Sequence, residues 1–119
     1  MPDQKSIPAE EVVAEPKKPE EFTRRGWRLH VQGEQARAEA DFRQALHLDP
    51  NSVEAQYGLG LALKAQQSNQ QAVQAFERAI ELIKDGGLNE DQARATMLRH
   101  LSKWHIDMIE KGRNREPHS

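Results

Sequence analysis

The sequence predicts an all-α protein, a solenoid of helical hairpins with two repeats and a closing helix, about five helices in all. Three observations predict it. First, sliding the chain by 34 residues aligns Glu20 with Glu54, Gly26 with Gly60, Leu29 with Leu63, Ala38 with Ala72, Phe42 with Phe76, Ala45 with Ala79 and Leu48 with Leu82. One gapless shift that explains seven pairs marks a repeated supersecondary unit. Second, proline is absent between Glu20 and Pro50 and again up to Pro117, while Ala, Leu, Gln, Glu and Arg dominate, the composition of helices rather than strands. Third, turn residues cut each copy in two.

The elements follow in order. Residues 1–19 hold four of the six prolines (Pro2, Pro8, Pro16, Pro19), several charges and few apolar residues beyond Ile7, Val12 and Val13. Such a stretch cannot bury enough surface to offset its ordering entropy and reads as a flexible arm. The helical domain spans 20–111, with repeats at about 19–52 and 53–86. In the first, Phe22, Gly26 and Leu29 share a face at i, i+4, i+7. A polar turn at Gln32-Gly33-Glu34 follows, and Ala38, Phe42, Ala45 and Leu48 resume the spacing. Asp49-Pro50-Asn51-Ser52 stops that helix, and Ser52 caps the next. The second copy runs through Leu59, Gly60 and Leu63, turns near Gln67-Ser68-Asn69, continues with Ala72, Phe76, Ala79 and Leu82, and ends at Asp85-Gly86-Gly87. The closing helix spans about 89–111, with Asn89 as N-cap and Gly112 as C-cap, and 112–119 form a tail.

The charge balance narrows the function. With 17 basic and 19 acidic residues the formal net charge is −2, which supplies no general attraction to nucleic acid or anionic lipid. The absence of cysteine removes disulfides and thiolate chemistry. Mean hydropathy is −0.90, no apolar run reaches the ~20 residues a membrane helix needs, and the start lacks the apolar segment of a signal peptide. A cytoplasmic protein without a membrane partner is expected.

The repeat resembles the tetratricopeptide family on Gly26, Ala38, Phe42, Ala45 and Pro50 in the first copy and Leu59, Gly60, Ala72, Phe76 and Ala79 in the second. It departs at Arg25, where the family has leucine, at Phe22, which stands for tryptophan, and at Lys84, which replaces the second proline. The resemblance implies small residues that let helices approach closely, phenylalanines that fill the spaces between pairs, and a concave groove lined by the leading helix of each repeat. It places Thr23, Trp27, His30 and Val31 of the first copy and Tyr57, Leu61, Lys64 and Ala65 of the second along that groove, with Arg99 and Lys103 of the last helix facing the same way. An aromatic and aliphatic floor with a cationic end suits a segment with an apolar anchor and acidic charge. Ordinary packing of Trp27 and Tyr57 at the edge of a thin core stands beside that reading, as does occupation of the groove by the arm through Val12 and Val13. The carboxylate clamp of one chaperone-binding subclass is not matched, since Thr23, Trp27, Gly58, Gln92 and Thr96 occupy its positions.

Two repeats are fewer than the ~3 a solenoid needs, so the closing helix must supply the missing neighbour. Met97, Leu101, Trp104 and Met108 form one stripe, with Leu98, His105 and Ile109 beside it. Two readings stand. The stripe covers the second repeat, or part of it (Trp104, Met108 and Ile109) contacts a second copy of the chain in a homodimer.

No constellation supports catalysis. The positions four after His100 and His105 are Trp104 and Ile109, which breaks the helical spacing of a metal site. Ser102 and His105 share a face without a carboxylate to orient the imidazole. Gly86-Gly87 lacks the Lys-Ser/Thr of a phosphate loop. Arg24, Arg25, Trp27 and Arg28 cluster but are flanked by Glu20, Glu21 and Glu34, which makes nucleic acid a poor partner. The expected function is a non-catalytic adaptor or scaffold module that needs no metal or cofactor and binds a peptide or protein segment. A self-associating structural subunit is the alternative.

Overall fold

A computed structural model describes residues 15–84 and 92–114. Among the described residues there are five helices and no strand: α1 (Pro19–Val31), α2 (Gln35–Leu48), α3 (Val53–Ala65), α4 (Asn69–Lys84) and α5 (Gln92–Asn114). The arm up to residue 14, the Asp85-Gly86-Gly87 stop, the Asn89 cap and the last five residues lie outside the described residues.

Local chemistry sets the ends. Pro19 opens α1, where its missing N–H costs nothing. The Glu21 carboxylate accepts from the backbone N–H groups of Lys17 (2.8 Å) and Lys18 (3.1 Å), which holds its proton affinity below the ordinary range. The α1–α2 and α3–α4 turns are the same motif, offset by 34. Glu34 N–H donates to Leu29 O and Gly33 N–H to His30 O; Ser68 N–H donates to Leu63 O and Gln67 N–H to Lys64 O. This closure needs a left-handed residue, supplied by Gly33 (φ 85°) and by Gln67 (φ 66°). Ser52 caps α3, its Oγ accepting from Ala55 N–H at 3.2 Å. Gly112 does not stop α5, which continues to Asn114. Glycine permits a left-handed exit without enforcing one, and Gly112 is not among the positive-φ residues.

The core is the expected one with one exception: Leu29, Ala38, Phe42, Ala45, Leu63, Ala72, Phe76, Ala79 and Leu82 are all buried, while Leu48, the last residue of α2, is exposed. Phe42 is fully enclosed between repeats. A Cβ on Gly26 of its own leading helix would come within 2.8 Å of the ring, and one on Gly58 of the next within 2.5 Å. Phe76 sits the same way on Gly60, at 2.6 Å. Each ring contributes about 1.5–3 kcal/mol by leaving water, and only glycine lets the backbones close on it. Arg25, the departure from the apolar pattern, is matched across the α1–α2 hairpin by Asp41, buried and held by both Nε (2.7 Å) and Nη2 (2.9 Å). The carboxylate raises the guanidinium's proton affinity further.

The helix α5 lies beside α3 and packs on α4 through Ala95, Leu98, Ser102 and Ile109. Arg94 pairs with Glu54, and the Lys64 ammonium lies over the Trp104 ring, 5.3 Å from its centroid. Both pairs are 40 positions apart. Among the described residues no helix is long and apolar enough to cross a membrane.

Candidate functional site

The leading helices α1, α3 and α5 present one shared face, and its residues differ in how far they remain open. At the α1 end, Thr23 is buried and spends its hydroxyl on Pro19 O at 3.0 Å. Trp27 is half-buried, edge-on to Phe42 with centroids 5.3 Å apart and tilted 6.3 Å from Tyr57. It floors a hollow of about 310 Å³ between the leading ends of α1 and α3, lined also by Pro19, Glu20, Thr23, Arg24, Asp49, Ser52 and Glu54. Three carboxylates stand at its rim beside the Arg24 guanidinium; Glu54 is already paired with Arg94, and Glu20 and Asp49 leave the rim weakly acidic. His30 is tied into the α1–α2 turn, its Nδ1 2.7 Å from Gln35 Oε1.

In the middle, Tyr57 is buried and Leu61 is partly buried against the core. The Tyr57 hydroxyl and the Lys64 ammonium both meet His105 of α5, at 3.2 Å on Nε2 and 2.9 Å on Nδ1. An ammonium only donates, so Nδ1 accepts from Lys64, and the Nε2–H donates to Tyr57 Oη. The imidazole also lies flat on Phe76. Burial and the neighbouring Lys64 charge push its pKa down to about 4, so the ring is neutral near pH 7. Burial likewise lowers Lys64 and raises Tyr57. His105 is therefore a keystone between α3, α4 and α5, a role its sequence position beside a stripe did not reveal. Ser102 is fully buried, and its hydroxyl meets no partner, so the Ser102 and His105 side chains do not engage each other.

The α5 end differs from expectation. The α5 residues that meet α3 are Arg94, against Glu54, and Trp104 and His105, against Lys64 and Tyr57, so they, and not Arg99 and Lys103, face the leading helix of the second repeat. Arg99 and Lys103 turn away from α3 because 100° per residue separates them from the flank carrying Arg94, Trp104 and His105; Arg99 is half-buried, its Nε enclosed without a partner, and Lys103 is exposed. The cationic end is thus absent from the shared face. Ile109, read with Trp104 and Met108 as a contact surface, is 6% exposed and belongs to the core. Burial on α4 claims it because it falls on the Leu98–Ser102 side of the helix. Trp104 and Met108 remain exposed.

Residues 23–87, more than half of the 119-residue chain, match the family model described as tetratricopeptide repeat. No curated protein matches the chain. Repeats of this kind mediate contacts between proteins and are generally not enzymes. With two offset hairpins, each closing on a phenylalanine seated against glycine, and the family match laid over both, the chain belongs to the tetratricopeptide repeat family.

Proposed function

We propose that the chain is a non-catalytic adaptor or scaffold module that takes a protein segment on the face shared by its leading helices, at the hollow floored by Trp27. The observation that carries this reading is the pairing of a half-buried indole with the carboxylates of Glu20 and Asp49 at the rim of about 310 Å³ of open space. An indole offers a large apolar surface at little entropic cost, and the carboxylates favour a cationic neighbour. The fitting segment carries an apolar anchor flanked by Lys or Arg. This replaces the acidic segment that Arg99 and Lys103 would have favoured.

Selection of random peptides on the immobilised protein tests the reading. Apolar-basic sequences should emerge and lose about tenfold or more in affinity against Trp27→Ala. Glu20→Lys, at an exposed position, should weaken the same peptides with the helical melt unchanged. Acidic winners, or peptides indifferent to both variants, would contradict it.

A further inference from the structure

The charge at the rim of the Trp27 hollow is set in part from outside the two repeats. Glu54, in the first turn of α3, lines the hollow, and its carboxylate pairs with Arg94, in the first turn of α5. The fold has little need of this pair. The Arg94 and Glu54 side chains are 49% and 42% exposed, and an ion pair that open to solvent contributes about 0–1 kcal/mol. A cation in the first turn of a helix also opposes the backbone dipole, so α5 gains nothing from Arg94 on its own account. Instead α5 is seated by Ala95, Leu98, Ser102 and Ile109, and by His105 on Tyr57, Lys64 and Phe76. His105 lies about 16 Å along the helix axis from Arg94. What the pair does change is the hollow, where it neutralises one of the three rim carboxylates.

We propose that Arg94 sets the charge selectivity of the hollow, an inference that rests on the reading of the hollow as a segment site. Arg94 holds Glu54 in place of a basic residue of the incoming segment. Glu20 and Asp49 remain for one basic flank of the apolar anchor, while the Glu54 side is already filled by a guanidinium. A second basic residue there must displace Arg94, which exchanges one exposed ion pair for another with little net gain. Segments with one basic flank are therefore taken nearly as well as segments with two. The closing helix acts on specificity through this single electrostatic contact.

Fluorescence anisotropy on the full chain tests this with three labelled peptides: a leucine between two lysines, a leucine beside one lysine, and a leucine with glutamine in place of both. The unaltered protein should bind the two lysine peptides within about twofold of each other. Arg94→Ala should tighten the two-lysine peptide by about two- to fivefold and leave the glutamine peptide unchanged, with Trp27→Ala still weakening both. Arg94→Lys, which keeps the cation, should restore the original affinities. Combining Arg94→Ala with Glu54→Gln, which restores the net charge of the pair, should cancel the gain. A gain shared by the glutamine peptide, a gain that survives Glu54→Gln, or Trp27-dependent binding indifferent to Arg94 would overturn the role of Arg94 alone. Lysine peptides bound without dependence on Trp27 would overturn the reading of the hollow, and the role of Arg94 with it.

Discussion

The imidazole of His105 lies on the ring of Phe76, centroids 4.9 Å apart and planes within 9°. That stack, with the two nitrogens engaged by Tyr57 and Lys64, joins the closing helix to the second repeat. It also makes stability depend on pH. The folded ring has a pKa near 4 against an ordinary 6.5, so below about pH 6.5 the unfolded chain binds the proton that the folded one refuses. The contribution is fully present above the unfolded value and is lost as pH falls toward the folded one. Melting followed by circular dichroism should show the midpoint dropping between about pH 7.5 and about pH 5.5. In His105→Phe, which keeps a ring on Phe76 without a titrating nitrogen, that drop should shrink.

Asp41 is buried and satisfied by one guanidinium, that of Arg25. Arg25→Leu restores the apolar pattern yet strands the carboxylate, and should cost about 1–3 kcal/mol in urea unfolding. Adding Asp41→Ala should recover most of the loss. Additive single effects would show that the pair is not coupled.

The Ser102 hydroxyl is buried without a partner, so its desolvation is uncompensated. Ser102→Ala should raise stability by about 1 kcal/mol, read from the denaturant midpoint. A loss would mean that the hydroxyl is hydrogen-bonded in solution.

Gln67 holds a left-handed backbone at the position where the first repeat has Gly33. Gln67→Gly should gain about 0.5–1 kcal/mol by relieving that conformation, net of the entropy glycine adds to the unfolded chain. Gly33→Ala should lose a similar amount. Thermal melts of the two variants are expected to move in opposite directions.

These residues also show what the sequence made legible. The 34-residue stride named the buried Phe42, Phe76, Ala38, Ala72 and both polar turns, because each repeat must seat a large ring against a small residue and then reverse. Gly58 escaped, because the stride carries it to Gln92 and its ring partner lies in the preceding repeat. Arg25 was visible as a departure, but its remedy, Asp41, sits 16 residues away on the facing helix, where neither a short motif nor the repeat register points. The closing helix was found by its apolar positions while its rotation was not. Two apolar stripes compete for α4, and the one carrying Leu98, Ser102 and Ile109 is buried, with Arg94 beside Glu54. Hence Ile109 went inside, Met97 stayed outside, and Arg99 and Lys103 left the shared face.

The most direct test of the functional reading uses the two tryptophans as separate reporters. An apolar-basic peptide is titrated into labelled protein, and the indole N–H resonances are followed by NMR. The account predicts that the Trp27 resonance moves with the bound fraction, together with the backbone amides of Glu20, Arg24 and Glu54, while Trp104 stays in place. Shifts confined to the hollow among α2, α3 and α4 lined by Arg43, Gln56, Gln71 and Gln74, with Trp27 unmoved, would contradict it.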